Sequence, residues 1–362
     1  MFNQWLTLQE TLFEKLPESV ADNVGFGKVL TGIRAHSDGG ATCEFSDGSS
    51  EGPFDLVVGC DGIKSAVKEY VDTGKISEDP NTRENCGIYS GIRIRYAIQD
   101  GDTVDGSGRQ TDFQQVFGDG AYAFCGAFGN GKDRPKAKGV FLVYLDEEYN
   151  GPFKRDTSKI ASAVRENADW SQDVRNPTID ARQEMLDRLD RFKMPLEDIG
   201  PVVQNADRFF ELGVYFHNPL SFSGWSKEIP SAKNTFAVLC GDSAHAMPPF
   251  LGQGGNQAVQ DAYCLAKSIY DYNAEVEGRR PRDDDDDDDD GKPKELKTFL
   301  KEYEGVRWLP TTSITLKAGI LGYLETGGRD GFYSKFRDAF FKFLFILGIP
   351  TKVLIGAATP RV

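Results

Sequence analysis

The sequence predicts an α/β fold made of a three-layer domain, an antiparallel-sheet domain inserted into it, and C-terminal helices. Two apolar strand patterns indicate the first domain, because each ends in a glycine-containing turn that leads into a helix, at residues 54–71 and 235–270. The chain between them consists of short β-like segments separated by glycines, which is typical of an antiparallel sheet. From residue 295 onward, the apolar spacing is that of helices.

Size and composition are those of a globular protein as large as an enzyme. The 362 residues are 39% hydrophobic and 27% charged, and a chain of this length can bury one large core or two ordinary ones. The formal net charge is -14, but eight of the negative charges form the run Asp283–Asp290. Since the rest is only mildly acidic, no nucleic acid partner is expected.

The cysteines give no sign of a disulfide framework or of a metal site. Six of them are scattered without a C-x-x-C pair or a histidine at metal-binding spacing, so a reducing compartment is the default. Cys60 and Cys240 lie at predicted strand ends, where we expect small buried hydrophobes. No run of about 18 apolar residues occurs, so we expect a soluble protein without a transmembrane segment.

The patterns also predict an order of elements for the three-layer domain. An amphipathic helix over 2–16 is followed by a hairpin of residues 28–35 and 41–46. A strand at 54–59, expected to be buried on both faces, precedes a helix at 65–71. A second buried strand at 235–240 leads into a helix over 258–270, with an expected buried face of Ala258, Ala262, Leu265, Ala266 and Ile269.

The inserted domain is predicted from its β-like segments and two helical ones. The sequence Gly118-Asp119-Gly120 is interpreted as a hairpin turn, because aromatic β-like runs flank it. The stretch 279–294 is of low complexity and self-repelling, which favours a disordered acidic insert over a partner-binding segment. The strands are expected at 88–98, 113–117, 122–128, 140–145 and 209–216, and the helices at 158–167 and 179–189.

The predicted boundaries follow from these patterns. They are 1–80 and 221–275 for the three-layer domain, 84–220 for the inserted domain, and 295–362 for the C-terminal helical region.

The first motif that indicates chemistry is Asp61-Gly62, directly after the strand at 54–59. Such a pair is often only a tight turn, since glycine supplies conformational freedom and the aspartate caps locally. Ser65 can cap the following helix in the same way. The functional interpretation is that the turn lets the backbone approach a nucleotide at the carboxyl end of a parallel strand.

The second motif runs from Gly241 to Asn256 and is more specific. Asp242 is placed where it can accept a hydrogen bond from a sugar or ribityl hydroxyl. Pro248 makes the turn rigid. The glycines that follow leave the N-terminus of the next helix without side chains, so that its free N–H groups can bind an anion or an electron-rich edge. A glycine-rich loop without a ligand is the plain alternative. The motif's later residues are Gly252, Gln253, Gly254, Gly255 and Asn256.

At these residues the chain resembles the group A FAD-dependent monooxygenases, the para-hydroxybenzoate hydroxylase-like family that includes salicylate hydroxylases and zeaxanthin epoxidases. Residues 59–65 look like the family's DG motif, and residues 241–255 look like its GD motif. Their order and their separation of roughly 180 residues also fit. Further matches are Gln260-Asp261-Ala262 and Tyr303-Glu304 with Arg307.

The resemblance implies an FAD/NAD(P)-binding domain that uses NAD(P)H and O2 to hydroxylate or epoxidise an aromatic or isoprenoid-like small molecule. It implies that Gly241 and Asp242 hold the ribityl chain, and that Pro248 flanks the flavin ring. Residues 252–256 would offer backbone donors to the flavin's carbonyl edge. Asp61 and Gly62 would lie near the pyrophosphate and the approach of the nicotinamide. No catalytic base is assigned, and His245 is expected to brace the turn.

The chain departs from the family pattern at its beginning. Members open with a strand, G-x-G-x-x-G and a helix, and this chain has no convincing copy. The FAD-binding domain is therefore expected to be incomplete, with roughly 100 residues absent. Two alternatives stay open: a truncated, flavin-free remnant without catalysis, and a related flavin reductase or halogenase.

Overall fold

The computed structural model describes most of the chain, and the fold is given for those residues. The predicted helix at 158–167 and nearly all of the predicted acidic insert at 279–294 lie outside them. The described residues are 2–77, 83, 87–100, 114–128, 137–146, 181–221, 223–279, 294–327, 332–349 and 352.

The chain contains both helices and strands, as expected of a mixed α/β protein. The helices are α1 Phe2–Glu14, α2 Glu18–Ala21, α3 Ala66–Thr73, α4 Ala181–Arg191, α5 Leu196–Gln204, α6 Asp242–His245, α7 Gly254–Val276, α8 Leu296–Thr326 and α9 Phe332–Ile346. The strands are β1 Leu30–Ala35, β2 Ala41–Phe45, β3 Ser50–Phe54, β4 Leu56–Gly59, β5 Ile88–Asp100, β6 Gln114–Gly118, β7 Ala121–Phe128, β8 Ala137–Leu145, β9 Arg208–Phe216, β10 Ser226–Glu228 and β11 Phe236–Leu239. No helix in these ranges is both long and apolar enough to cross a membrane.

The chain divides into two compact units, each built from separate stretches of sequence. The β-sheet unit comprises Met1–Gly27, Tyr89–Val214 and Gly322–Leu347. The motif unit comprises Lys28–Ile88, Tyr215–Leu321 and Gly348–Val362. The first helix groups with the β-sheet unit, whereas the sequence pattern assigned it to the domain of the two motifs.

The motif unit contains two small sheets. Strands β1, β2 and β3 form an antiparallel sheet in that order, which confirms the predicted hairpin. The other sheet has the order β10-β11-β4, in which β11 pairs with β4 in parallel. The strand expected over 54–59 is interrupted at Asp55, and Val58 is 41% exposed. Burial on both faces was the wrong expectation for β4, because it is an edge strand of the described sheet.

The core of the motif unit surrounds β11. All four residues of β11 are buried, and helix α3 begins where Ser65 Oγ accepts a hydrogen bond from Lys68 N at 2.8 Å. That bond is the N-cap expected from the sequence. The other members of this core include Val57, Val67, Tyr70, Trp225, Leu265, Leu300 and Tyr303.

Gly59 lets β4 and α3 approach each other closely. A Cβ atom added to Gly59 would lie 2.5 Å from Val67 Cβ, so any side chain here must displace the helix or the strand. Glycine at this position is therefore a packing requirement rather than a loop preference.

We predict that Gly59→Ala lowers the free energy of unfolding by about 1–3 kcal/mol, since the added methyl group overpacks the contact with Val67. Urea unfolding of the two proteins measures the difference. Gly305→Ala is the matched control: Gly305 is in helix α8 with nothing within 4 Å of an added Cβ, so a gain of about 0.5–1 kcal/mol is expected. Equal effects of the two substitutions would contradict the packing explanation.

The β-sheet unit is built on five strands in the order β6-β7-β8-β5-β9. The pairs β6/β7, β7/β8 and β5/β8 are antiparallel, and the Asp119-Gly120 turn joins β6 to β7, as predicted. Helices α4 and α5 cover one face of this sheet. Their buried side chains include Met185, Leu189, Ile199 and Val203, packed with Ala97, Ala123, Val140 and Leu142 of the strands.

Helix α9 packs onto the β-sheet unit through an aromatic ring and a guanidinium group. Phe341 stacks on Phe117 with ring centroids 5.5 Å apart. Arg337, which is buried, donates from Nη2 to Gly118 O and from Nη1 to Glu325 O, both at 3.0 Å. The helix thus satisfies backbone carbonyls of β6 and α8.

Glu325 is a buried carboxyl group beside these contacts. Its Oε1 accepts a hydrogen bond from Gln115 Nε2 at 2.9 Å. The buried hydroxyl of Tyr122 interacts with the same carboxyl group. Burial raises the pKa of Glu325 from 4.5 to about 7, against the hydrogen bonds of Gln115 and Tyr122 and the charge of Arg337.

This raised pKa predicts a stability that falls with increasing pH. A carboxyl group with a higher pKa in the folded chain binds more protons when folded, so its contribution is fully present below about pH 4.5 and is lost as the pH rises through 7. Glu325→Gln removes this cost. Relative to the wild type, the variant should gain about 2–3 kcal/mol in free energy of unfolding between pH 5 and pH 8.

Urea unfolding of both proteins at the two pH values measures this gain. Glu302→Gln, at an exposed position of α8, is the control and should change nothing. A constant difference between Glu325→Gln and the wild type across this pH range would show that Glu325 does not titrate there.

Candidate cofactor site

The two sequence motifs follow neighbouring strands at the same edge of one sheet. In the β4/β11 pair, Gly59 and Leu239 are register partners. Cys240 N donates to Gly59 O at 3.0 Å, which extends the pairing by one residue. Because carboxyl ends of adjacent parallel strands lie together, the Asp61-Gly62 turn and the Gly241-Asp242 turn start side by side.

Ser243 fastens these two strand ends to each other. Its side chain is fully buried, and its Oγ accepts a hydrogen bond from Cys240 N at 3.1 Å. The same oxygen lies 2.5 Å from Gly59 O and 2.8 Å from Cys240 O, the two carbonyls to which its single proton can be donated. No pattern in the sequence indicates this role, because a lone serine in a turn is uninformative until its neighbours in the fold are known.

Asp61 caps helix α3. Its Oδ2 accepts hydrogen bonds from Ala66 N at 2.6 Å and from Val67 N at 3.3 Å, and its Oδ1 bonds the Ser65 hydroxyl. Gly62 has a φ of +78°, a left-handed conformation that favours glycine, and an added Cβ would meet nothing within 4 Å. The carboxylate of this motif therefore serves the helix, while the backbone at Gly62 is open.

Gly241 and Asp242 begin the second motif. Gly241 has a φ of +68°, and a Cβ there would lie 3.3 Å from Ala258 Cβ, so the turn packs closely on helix α7. Asp242 is exposed, and its Oδ1 lies 4.0 Å from the position of a Cβ added to Gly254. Partial burial raises the pKa of Asp242, whereas His245 lowers it and Asp261 raises it further.

The N-terminus of helix α7 is bare of side-chain caps. The N-cap residue Gln253 is buried and makes no capping hydrogen bond; its side chain instead contacts Leu251 O at 3.2 Å and Asn256 Nδ2 at 3.2 Å. Gly252 has a φ of +61°, with nothing within 4 Å of an added Cβ. First-turn N–H groups have no partner within a helix, so this end can serve an anion or an electron-rich edge.

The remaining predicted residues surround this helix end. Pro248 is buried in the turn before it, Gly255 is half-buried in its first turn, and Asn256 is exposed. All ten residues predicted to bind the cofactor thus lie in the motif unit, on the two turns and at the N-terminus of α7.

A fully buried carboxylate, Asp261, holds the second turn in place. Its Oδ2 accepts hydrogen bonds from Gly241 N at 2.9 Å and from His245 Nε2, and its Oδ1 accepts from Arg307 Nε at 2.7 Å. Burial raises the pKa of Asp261, but the hydrogen bonds and charges of His245 and Arg307 outweigh it and leave the pKa below its ordinary value. His245 therefore braces the turn, as expected from the sequence.

Arg307 extends the network from α8 to one face of α7. Its guanidinium is fully buried and donates to Gln260 Oε1 at 2.9 Å and to Gln257 Oε1 at 2.6 Å. One turn earlier in α8, Tyr303 donates from its hydroxyl to Leu239 O at 3.0 Å. The two further segments that resemble the family, around Asp261 and Arg307, thus belong to one hydrogen-bonded cluster.

This cluster corrects the predicted face of helix α7. Ala262 and Ala266 were expected to be buried and are exposed. The buried positions are Gln257, Gln260, Asp261, Cys264, Leu265 and Ala274. The apolar pattern was misleading because the helix satisfies buried polar side chains with Arg307 and with the turn, which hydrophobic periodicity does not register.

The cysteine expectation also needs one correction. Cys240 is buried as expected, but Cys60 is exposed, because it follows the last residue of an edge strand. 

Comparisons with known proteins fit this geometry. Residues 234–278, which contain β11, the second turn and α7, match a family model described as an FAD binding domain. Salicylate hydroxylase of Pseudomonas putida is 26% identical over 277 residues, covering 74% of this chain and 54% of the relative. The FAD-dependent urate hydroxylase of Mycolicibacterium vanbaalenii is 26% identical over 261 residues, covering 70% of this chain and 52% of the relative.

A shorter match and a solved structure add to these. The chloroplastic zeaxanthin epoxidase of Spinacia oleracea is 40% identical over 73 residues, or 20% of this chain and 9% of the relative. The structure of Klebsiella pneumoniae HpxO complexed with FAD and uric acid has a TM-score of 0.58 at 20% identity, covering 96% of this chain and 70% of that one. The chain spans about half the length of the curated relatives that it matches, 54% in the first case.

The fold, and the sequence of residues 234–278, are similar to those of FAD-binding proteins. The chain is homologous to the group A FAD-dependent monooxygenases. The predictions of this family, of a mixed α/β fold with an antiparallel-sheet domain, and of FAD as the family's cofactor are confirmed.

The network around Asp261 predicts a large cost for removing Arg307. Arg307→Met leaves the buried Asp261 carboxylate without its guanidinium partner, so the free energy of unfolding should fall by about 3–5 kcal/mol. Adding Asp261→Asn should recover part of this loss, because no buried ion then remains. Urea unfolding of the single and double variants measures both effects.

Lys301→Met, on the same helix, is the control. Lys301 pairs with Glu304 at the surface, at 2.7 Å, and its loss should cost at most about 1 kcal/mol. If Arg307→Met were as mild as Lys301→Met, the buried network would not be what holds the turn.

Proposed function

We propose that the protein is an FAD-dependent monooxygenase that uses NAD(P)H and O2 to hydroxylate or epoxidise an aromatic or isoprenoid-like small molecule. The observation that carries the proposal is the turn from Gly241 to Asn256, which offers an exposed carboxylate beside an uncapped helix N-terminus. A flavin needs both features, because its ribityl chain donates hydrogen bonds and its pyrimidine edge accepts them.

The open space around the glycines supports this fit. A Cβ added to Gly252 or Gly62 would meet nothing within 4 Å, and one added to Gly254 would meet only Asp242 Oδ1, at 4.0 Å. No residue distant in sequence therefore packs against Gly62 or Gly252, and only Asp242 lies near Gly254. A glycine-rich loop closed by its own packing would not leave this space.

Each residue has a distinct task in the proposed site. Asp242 would accept hydrogen bonds from ribityl hydroxyls, with Gly241 setting the turn that presents it. Pro248 would flank the ring, and the backbone N–H groups of Gly252, Gln253, Gly254, Gly255 and Asn256 would face its carbonyl edge. Gly62 would let the backbone approach the pyrophosphate, whereas Asp61 would fix that turn by capping α3.

The chemistry depends on the cofactor, and the protein positions it. When bound, FAD supplies a hydride acceptor for NAD(P)H and the means to activate O2. The chain's own contribution is a fixed set of hydrogen-bond donors and acceptors, held by Ser243 and by the Asp261 network. The sheet of residues 84–220 would bind the substrate.

The relatives favour this function over the two alternatives. Salicylate and urate hydroxylases match over about 70% of the chain or more, which supports an aromatic substrate. The zeaxanthin epoxidase match covers only 73 residues, 20% of this chain, and therefore gives weaker support to an isoprenoid substrate. A flavin-free remnant is not favoured.

The test is flavin binding followed by turnover. The purified chain incubated with FAD should acquire a protein-bound flavin absorption band, and Asp242→Asn should weaken FAD binding roughly tenfold or more, the loss of a hydrogen bond to a charged group. Asp38→Asn, an exposed aspartate of the same unit, is the control and should bind like the wild type. NAD(P)H oxidation coupled to an oxygenated product, detected by mass spectrometry among aromatic acids and heterocycles, then tests the activity.

Two results would count against the proposal. If the protein bound no FAD, both the proposed cofactor and the proposed reaction would be contradicted. FAD binding with NAD(P)H oxidation but no oxygenated product would instead support a flavin reductase.

A further inference from the structure

Two cysteines lie next to each other where the two motif turns begin. Cys60 directly follows β4 and Cys240 directly follows β11, and the preceding residues, Gly59 and Leu239, are register partners in the parallel pair. The hydrogen bond from Cys240 N to Gly59 O, at 3.0 Å, extends the strand register by one residue, so that Cys60 and Cys240 are neighbours. Paired residues of neighbouring strands lie about 5 Å apart, within the Cα separation of roughly 4.4–6.8 Å that disulfides require.

The two thiols also contact each other. The hydrogen bond from the Cys240 thiol lowers the pKa of Cys60, although partial burial and the charges of Asp61 and Asp261 oppose the shift. The same hydrogen bond, with burial, raises the pKa of Cys240. The two thiols therefore titrate as a pair.

Cys60 is also the accessible member of the pair. Among the five cysteines that the structure describes, Cys60 alone is exposed, and Cys43, Cys125, Cys240 and Cys264 are buried. An oxidant in solution can therefore reach Cys60 first, and the neighbouring Cys240 is placed to react second. An exposed thiolate next to a resolving thiol is the usual arrangement of an oxidisable site.

We propose that Cys60 and Cys240 form a dithiol site that hydrogen peroxide oxidises to a disulfide joining the two motif turns. The Cys60 thiolate attacks one peroxide oxygen, the O–O bond breaks, and the leaving hydroxide takes up a proton to become water. The Cys240 sulfur then attacks the resulting sulfenic acid, the S–O bond breaks, and a second water leaves with the proton of Cys240. The two thiols lose two electrons and the peroxide gains them.

The disulfide would act on the architecture of the site. It would link the chain across the residues from 60 to 240 and pin the Asp61-Gly62 turn to the Gly241-Asp242 turn. Closing so long a loop restricts the unfolded chain, so a rise of several degrees in Tm is expected on oxidation, reversed by a thiol reductant. The inference rests on the strand register and the exposure of Cys60, not on a bound flavin.

Thiol counting on the full chain tests the site without any cofactor. The reduced protein is treated with hydrogen peroxide, excess peroxide is removed, and free thiols are counted after denaturation. The wild type should lose two thiols per chain and regain both with dithiothreitol. Cys60→Ser and Cys240→Ser should lose no pair, whereas Cys264→Ser, the control at a buried cysteine of helix α7, should still lose two.

Peptide mapping of the oxidised wild type gives a readout that needs no variant. Fragmentation must separate Cys60 from Cys43 and Cys240 from Cys264, because trypsin leaves each pair on one peptide. A Cys60–Cys240 crosslink within one chain is the expected product. Sulfinic acid at Cys60 without a crosslink, a bond to another cysteine, or a disulfide between two chains would each overturn the proposal.

Discussion

The described site depends on the buried carboxylate of Asp261. It accepts hydrogen bonds from the backbone of Gly241, from His245 and from Arg307, and so ties a turn, a short helix and the long helix α8 to α7. The residues just before α7 include Pro248, Pro249 and Gly252, which offer few polar side-chain contacts to fix the turn. The hydrogen bonds of Asp261 to Gly241 and His245 therefore help to fix the geometry of the turn that precedes α7.

Fixing a loop with a buried ion pair has a high desolvation cost, which indicates that the pair does more than stabilise the fold. Arg307 and Asp261 are both fully buried, and replacing such a pair by apolar side chains of similar volume is often neutral or stabilising. Apolar packing is not directional, however, whereas the guanidinium bonds Gln257, Gln260 and Asp261 from one fixed plane. The pair therefore serves the orientation of α7 against the turn more than the stability of the fold.

Local patterns in the sequence predicted most of the secondary structure, but they did not predict which face of helix α7 is buried. The hairpin of β1 and β2, the Ser65 cap and the Asp119-Gly120 turn depend on neighbouring residues, so they could be predicted. The buried polar face of α7 depends on Arg307, 46 residues beyond Asp261 in sequence, and no periodicity reveals such a partner. Cys60 and Ser243 were misjudged or passed over for the same reason: their surroundings come from the pairing of β4 with β11.

The two aspartate-glycine motifs look equivalent in sequence but are used differently. The Asp61 carboxylate is engaged by the first turn of α3, so only the backbone of that motif is open to a ligand. The Asp242 carboxylate is exposed, and its neighbour Gly241 is held by Asp261. In the proposed site, an acidic side chain would therefore contact the cofactor only at the second motif. The match to an FAD binding domain over residues 234–278 contains that motif.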